Sequence, residues 1–338
     1  MKTFSLVLLF AILSGSANGQ ASLIGIVDFY GLRSVSEQRA RQALRIKEGD
    51  ALPALLEDAR SRLEALPNVE QARLTTVCCD STGKSILYVG IGEKGAPALR
   101  FRVAPQGRIR LPDSMVQAGE AFADAFIRAV QKGDAGEDDS QGHALFNNSE
   151  ARSYQERFIQ FAARDLKTLR AALRQSSDAK HRALAAEIIA YSANKRDVVK
   201  DLVYGMSDPN DSVRNNSIRA LGIIAGYAQA NPKLRIKVPV QPFVAMLNSL
   251  EWTDRNKSSL ALYHLTEKRD PAILSSIRER ALPSLIEMAR WKNPGHAFAP
   301  FVLLGRIGNL SDEEIWKAGS SGDREILIET VIKKLKAN

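Results

Sequence analysis

Four stretches in the carboxy-terminal half of this 338-residue chain share one layout, with a polar or basic start, small residues in the middle and aliphatic residues at the end. They are HRALAAEIIAYS (181–192), VRNNSIRALGIIA (213–225), DRNKSSLALYHLT (254–266) and GHAFAPFVLLGRIG (295–308). Arg214, Arg255 and His296 occupy matching places about forty residues apart, which is a period typical of stacked two-helix repeats. This spacing predicts that the second half of the chain is an array of helices.

Second helices are predicted between these stretches, in VVKDLVYGM (198–206), PFVAMLNSL (242–250) and ALPSLIEMARW (281–291). The alternation resembles the HEAT-repeat family, most closely over LVYGMSDPNDSVRNNSIRALGIIA (202–225). There a helix and an aspartate-rich turn precede Val-Arg and a small-residue helix. The resemblance implies an α-solenoid over residues 152–338 whose inner face binds a partner.

The aspartate-rich turn is interpreted as a structural joint. Asp208 stands before Pro209, and the residue before a proline disfavours helical backbone, so one helix is predicted to end there. Asp211 or Ser212 is predicted to cap the next helix by accepting hydrogen bonds from its unpaired amides. The resemblance implies that Arg214 pairs with turn aspartates of the same or an adjacent repeat. These residues are therefore assigned to a joint and not to catalysis.

The amino-terminal third has the order strand, helix, helix, strand, strand. The first strand begins at Ile24, and Ser34 with Glu37 forms a capping-box pattern at the start of a helix. Leucines at helical spacing follow, and then two strands of alternating polarity flank a turn at 80–84. The pattern predicts a small α+β unit with its helices on one face of a sheet.

This order and its turns resemble the POTRA domain of bacterial envelope proteins. The matching segments are LIGIVDFYG (23–31), LRIKEGD (44–50), LEALPNVEQARL (63–74) and LYVGIGEKG (87–95). The resemblance implies a docking domain at 20–95 that binds other polypeptides, partly by adding a strand to a sheet edge. The chain has one copy and no following run of strands for a β-barrel, so it is predicted to dock partners rather than form a pore. The predicted fold class is α+β, mostly α: a small β-α-α-β-β POTRA-like domain followed by a HEAT-like α-solenoid.

Residues 96–151 are predicted to be a connector. LRFRVAP (99–105) is compatible with one more strand, and AFADAFIRAV (121–130) with a helix. Residues 131–151 are rich in Gly, Asp, Ser and Asn, and this composition predicts a flexible acidic linker. The acidic run at 137–139 lacks the loop pattern of a calcium site, so it is interpreted as solvated.

The first nineteen residues have the layout of a secretory signal. Lys2 precedes an apolar run at 4–13 and small residues at 14–19, which predicts a signal peptide at 1–19. The apolar run is too short for a bilayer core of about 30 Å. The mature protein is therefore expected to be exported, and to be periplasmic or associated with an outer membrane.

The chain carries a formal net charge of +9, and removal of Lys2 with the leader leaves +8. In an exported protein this charge favours an anionic membrane surface, an envelope polymer or acidic proteins over nucleic acid. Solubility is the other interpretation. The two cysteines, Cys78 and Cys79, either close a vicinal disulfide or remain two thiols. Their spacing and the four scattered histidines predict no metal site.

The sequence contains no phosphate loop, nucleophile elbow or zinc-protease motif, so it predicts no enzyme, no catalytic residue and no cofactor. Two clusters place tryptophan beside charged groups, a combination common in binding hot spots. The members are Trp252, Asp254, Arg255 and Asn256, then Glu287, Arg290, Trp291, Lys292 and His296. They are hypothesised to line a groove that binds proteins of the cell envelope. The alternatives are that each tryptophan fills a repeat interface, that the solenoid holds the substrate site of an enzyme or enzyme subunit, or that a basic surface binds a polymer.

Overall fold

The structure is a computed structural model that describes residues 22–337. The predicted signal peptide at 1–19 lies outside the described residues. In the described part, thirteen α-helices and five strands make an α+β fold that is mostly α, which confirms the predicted fold class. The chain divides into two units. The sheet unit comprises the described residues before Arg100, Val244–Ser259 and the chain from Lys268 onward, and the repeat unit comprises Arg100–Phe243 and Leu260–Glu267.

The sheet unit begins with the five elements that the sequence predicts, in the predicted order. They are β1 (Ile24–Tyr30), α1 (Glu37–Leu44), α2 (Glu57–Glu64), β2 (Val69–Val77) and β3 (Ser85–Glu93). β3 lies in the middle of the sheet, parallel to β1 and antiparallel to β2. Gly83, in the turn between β2 and β3, has a φ of 79°, a left-handed value that glycine adopts without strain.

One face of this sheet forms an apolar core with α1 and α2. The core includes Ile24 and Val27 of β1, Leu44 of α1, Leu63 of α2, and Leu87, Val89 and Ile91 of β3. The alternation of apolar residues along the strands brings them to the same face, where the buried alanine and leucine of each helix cover them.

The predicted capping box at Ser34 is wrong, because α1 is capped by Ser36. Ser34 instead donates hydrogen bonds from its amide and its hydroxyl to the carboxylate of Glu93 at the end of β3. The amides of Arg33 and Val35 donate to the same carboxylate at 2.6 and 3.0 Å. Burial acts to raise the pKa of Glu93, but these hydrogen bonds outweigh it and lower the pKa to about 2.

The repeat unit consists of helices, with a short hairpin between the first and the second of them. Its elements are α3 (Asp113–Gln131), β4 (Glu137–Asp138), β5 (Leu145–Phe146), α4 (Ser149–Gln175), α5 (Ala179–Ile189), α6 (Lys195–Gly205) and α7 (Asp211–Ala230). The helices predicted at 181–192, 198–206 and 213–225 are therefore present. Small residues bring them close together: a Cβ on Gly205 of α6 would lie 2.0 Å from the hydroxyl of Ser217 on α7.

The predicted flexible linker at 131–151 is wrong. β4 and β5 pair as an antiparallel hairpin, and the second strand is buried. The Phe146 ring lies 5.2 Å from that of Phe126 on α3, and the Phe146 amide donates to Gln155 of α4 at 2.7 Å. The segment is polar in composition, but the burial of a few apolar residues is enough to hold it against two helices.

Six helices complete the described chain. They are α8 (Gln241–Met246), α9 (Trp252–Leu265), α10 (Pro271–Ala289), α11 (Pro294–Ile307), α12 (Asp312–Ser321) and α13 (Arg324–Ala337). The helical region predicted at 152–338 does not form one compact unit, because the helices from Lys268 onward belong to the sheet unit. Among residues 22–337, no helix combines the length and the apolar character needed to cross a membrane.

Candidate functional site

The carboxylate of Asp208 is completely buried at the turn between α6 and α7. Its two oxygens accept hydrogen bonds from the Nε and Nη2 atoms of Arg182, both at 2.9 Å, and Arg102 donates to it as well. Arg214 donates to the backbone carbonyls of Asp208 and Pro209, at 2.9 and 3.0 Å. A buried carboxylate held by two guanidinium groups fixes the relative positions of α5, α6 and α7.

The cap of α7 is Asn210, whose side chain accepts from the Val213 amide at 3.3 Å. The cap predicted at Asp211 or Ser212 is therefore wrong by one or two residues. Asp211 is exposed as the first residue of the helix, where its negative charge favours the helix amino terminus. This turn connects α6 to α7 and is held to α5 through Asp208, so it acts as a structural joint within the repeat unit.

A second cluster, which we call the aromatic seam, lies in the sheet unit. It comprises Tyr30 of β1, Tyr88 of β3, Trp252 of α9, Trp291 and His296. The ring of Tyr88 is stacked on that of Trp252 with centroids 4.9 Å apart, and it lies 5.2 Å from the ring of Trp291. The Tyr88 hydroxyl and the His296 Nδ1 atom are 2.8 Å apart. Both tryptophans are at most 1% exposed, so the seam is part of the interior.

Gly90 of β3 allows the residues before α9 to approach the sheet closely. A Cβ at this position would lie 2.7 Å from the Leu250 carbonyl oxygen and 2.7 Å from the Tyr30 side chain. The Tyr30 hydroxyl donates to the same carbonyl at 2.7 Å. A larger residue at Gly90 would therefore push Leu250 away from the sheet.

Polar contacts border the aromatic seam. Arg255 donates to Glu287 at 3.0 Å and to the Ser249 carbonyl at 2.6 Å, and its guanidinium lies 4.6 Å from the centre of the Tyr30 ring. The Glu287 carboxylate also accepts from the Gly31 amide at 3.2 Å. These contacts join the end of β1 to α9 and α10.

Lys292 makes a separate contact with β1. Its amide donates to the Asp28 carboxylate at 2.7 Å, and its ammonium group donates to the Val27 carbonyl at 2.6 Å. Burial raises the pKa of Asp28 despite the hydrogen bond from Lys292.

The structure thus brings most of the nine hypothesised binding residues together, but at the aromatic seam and not on an open groove. Trp252, Trp291 and His296 are buried in it, and Arg255 and Glu287 border it. Asp254 and Asn256 are also buried, Lys292 contacts β1, and Arg290 pairs with Glu325 of α13 at 2.6 Å. Tyr30 and Tyr88 cover the two tryptophans, so neither ring is open to solvent in this structure. Partner binding by these residues stays a prediction.

Sequence reasoning missed Tyr30 and Tyr88, although the sequence carries a signal for them. β3 reads SILYVGIGE, a nearly continuous apolar run, and all but one of its residues are buried. Such a run is typical of a strand covered on both faces, whereas a half-exposed strand alternates. The run indicates that a second layer packs on the sheet.

Both cysteines lie directly after β2. In the structure Cys78 and Cys79 are joined by a disulfide bond, which is one of the two alternatives that the sequence left open. Within the described residues, no group of three or more His, Cys, Asp or Glu side chains is placed to hold a metal ion.

Buried histidines predict a dependence of stability on pH. Burial lowers the pKa of His296 to about 3, and Lys257 acts in the same direction; burial and the Lys195 charge lower the pKa of His143 to about 4. An unfolded histidine titrates near 6.5, so below that pH these two histidines bind more protons in the unfolded chain than in the folded one. We expect the two histidines to lower the free energy of unfolding by about 3–5 kcal/mol between pH 7 and pH 4.5.

Urea unfolding at a series of pH values measures this effect. The His296→Gln variant removes one of the two groups, so its free energy of unfolding should fall about half as steeply over the same range. An unchanged slope in that variant would show that His296 does not stay neutral in the folded protein.

The paired helices around the Asp208 joint form a helical repeat. Residues 166–237, from within α4 to beyond α7, match the family of HEAT repeats. A comparison with curated proteins gives no match. Among solved structures, the designed armadillo repeat protein YIII(Dq)4CqI is similar, with 16% sequence identity and a TM-score of 0.36, over 59% of this chain and 91% of that one.

Proposed function

We propose that the protein is a non-catalytic, exported adaptor that binds other proteins of the cell envelope. Its POTRA-like sheet would accept a strand from the partner along β2, and its HEAT-like repeats would act as a scaffold, as helical repeats commonly do. The observation that carries the proposal is that the outer edge of β2 is open from Leu74 onward, whereas the outer edge of β1 is covered. Export rests on the predicted signal peptide at 1–19.

The outer edge of β2 offers backbone groups for pairing. Within residues 22–337, β3 is the sole sheet neighbour of β2. The Ala72 amide donates to the Glu64 side chain at 3.0 Å, so it points away from β3. This amide is occupied, as is the Ala72 carbonyl, which accepts from Arg73 at 3.2 Å. Backbone direction alternates along a strand, so the amide and carbonyl groups of Leu74 and Thr76 point to the same side. An extended partner segment would pair with these groups.

The outer edge of β1 is covered by the protein itself. The Val27 amide donates to Glu48 at 3.2 Å, and the Val27 carbonyl accepts from Lys292. The Ile24 amide donates to the Asp50 carbonyl at 2.9 Å. These contacts occupy the groups that a second strand would need, which directs strand addition to β2.

The covered tryptophans also favour β2 as the docking site. A partner that bound at Trp252 or Trp291 would have to displace the aromatic seam, whereas the β2 edge needs no such rearrangement.

Photo-crosslinking in the native envelope tests this function. A photoreactive residue at the exposed position Glu70 of β2 should capture a partner, and the change Leu74→Pro in the same chain should reduce the capture about tenfold or more. Proline at Leu74 removes an outward amide and leaves the hydrogen bonds to β3 in place. The mature chain should begin near Gln20.

The matched control places the photoreactive residue at Arg39, which is exposed on α1. Strand addition to β2 predicts little capture from Arg39 and no effect of Leu74→Pro on it. Equal capture from both positions, insensitive to the proline, would reject the β2 edge as the docking site. A mature chain that keeps the leader would reject export.

A further inference from the structure

We infer that residues 100–110, which we call the arginine strap, bind the surface of an anionic phospholipid bilayer. The strap belongs to the repeat unit, lies outside the helices and strands, and takes no part in the proposed docking at β2. Its sequence is RFRVAPQGRIR. The inference depends on how the backbone is held, on its unpaired charges and on its exposed apolar side chains.

The backbone of the arginine strap is held against the turns of the repeat unit. The Arg102 amide donates to the Ser207 carbonyl at 2.9 Å, and the Gly107 carbonyl accepts from the Ser177 amide at 2.8 Å. Directly after the strap, the Leu111 amide donates to His181 at 3.0 Å. The strap is therefore held at the turn after α6, at the turn after α4 and directly after its last residue. This attachment lowers the entropic cost of presenting its side chains to a surface.

Two side chains near its start strengthen this attachment. The guanidinium of Arg214 lies 3.9 Å from the centre of the Phe101 ring. Arg102 contacts the buried carboxylate of Asp208, and its guanidinium lies 4.1 Å from the centre of the Tyr204 ring. Arg102 is therefore a structural residue, and its charge is neutralised within the repeat unit.

The other three arginines of the strap are exposed. Arg100, Arg108 and Arg110 form no ion pair with a carboxylate in residues 22–337, and no acidic residue occurs between Pro97 and Pro112. Arg110 lies near enough to Asp178 to contribute to the lowering of its pKa, after the hydrogen bond from the Lys180 amide and other nearby groups. Most of the strap's positive charge therefore remains available for phosphate groups.

Exposed apolar side chains accompany these arginines. Val103 is 86% exposed and Ile109 is 37% exposed. The described chain exposes seven large apolar residues, and two of these seven lie in the eleven residues of the strap. A soluble polyanion offers partners for the arginines only, whereas a bilayer interface also accepts the apolar side chains. The combination therefore fits an anionic lipid surface.

Partition onto lipid vesicles tests the inference with the full mature protein. Vesicles of phosphatidylcholine containing about a third phosphatidylglycerol should bind the protein, and vesicles of phosphatidylcholine alone should bind it far less. The triple variant Arg100→Ala, Arg108→Ala, Arg110→Ala should partition about 100-fold more weakly, since each arginine near such a surface contributes about a fivefold factor.

The matched control removes three other positive charges from the exposed surface of the repeat unit, with Lys167→Ala, Lys200→Ala and Lys237→Ala. This control variant should bind the anionic vesicles at most about threefold more weakly than the unaltered protein, because its lysines lie outside the strap. Equal losses in the two triple variants would overturn the inference in favour of diffuse attraction by net charge. Failure of the unaltered protein to bind the anionic vesicles would overturn it directly.

A double variant, Val103→Ser with Ile109→Ser, separates a bilayer from a soluble polyanion. It should bind anionic vesicles about tenfold more weakly and bind soluble polyphosphate as the unaltered protein does. Unchanged vesicle binding would overturn the assignment to a lipid surface. All altered side chains are exposed, so thermal unfolding should match that of the unaltered protein and verify that the variants are folded. None of these outcomes depends on capture of a partner at β2.

Discussion

Replacement of Asp208 by alanine should lower the free energy of unfolding by about 3–5 kcal/mol. The carboxylate is completely buried and holds Arg182, which is itself only 2% exposed. Without Asp208 the Arg182 guanidinium would keep its charge in the interior and lose its two hydrogen bonds to the carboxylate. Urea unfolding of the purified mature protein measures the loss.

Asp211→Ala is the matched control for this change. Asp211 lies three residues away and is exposed at the start of α7, so its replacement should cost about 0.3–1 kcal/mol through the helix dipole. Asp208→Asn keeps hydrogen-bonding capacity and removes the charge. Its loss in the free energy of unfolding should therefore lie between those of Asp208→Ala and Asp211→Ala. A loss at Asp208 as small as that at Asp211 would contradict the role of the buried carboxylate as the centre of the joint.

Replacement of Trp252 by alanine should also destabilise the protein strongly, by about 3–5 kcal/mol. The indole ring is stacked on Tyr88 and lies 4.8 Å from His296, so its removal leaves a cavity in the aromatic seam. The loss of stability should appear in thermal and urea unfolding alike.

The third tryptophan supplies the control, because Trp316 on α12 is 49% exposed. Trp316→Ala should cost about 1 kcal/mol or less, since much of its ring already contacts water. If Trp252→Ala were as mild as Trp316→Ala, the sheet would not cover Trp252, and the predicted open groove would have to be reconsidered.

The elements that sequence analysis placed correctly are those set by local patterns. The order from β1 to β3 follows from strand alternation, leucine spacing and the turn at Gly83, all of which act over a few residues. The residues at which helices start were predicted less accurately. Asn210, Asp211 and Ser212 are consecutive residues that all cap helices well, so propensity alone does not choose Asn210.

Contacts between distant parts of the chain were not predictable in the same way. Trp252 and Tyr88 are 164 residues apart in sequence, and nothing near Trp252 indicates which surface covers it. The hairpin at 137–146 was missed for a related reason. Its average composition is polar, and only the packing of Phe146 with Phe126 and Gln155 shows that it is anchored.

The make-up of the sheet unit has a consequence for the order in which the protein folds. Its sheet and α10 to α13 are separated in sequence by the repeat unit, so the ribosome synthesises the segment from Arg100 to Phe243 before α10 to α13 can join the sheet. Most of the repeat unit is contiguous, from Arg100 to Phe243, so its helices contact partners that are near in sequence. Local contacts form faster than distant ones. The segment from Arg100 to Phe243 should therefore become ordered before the sheet unit is complete.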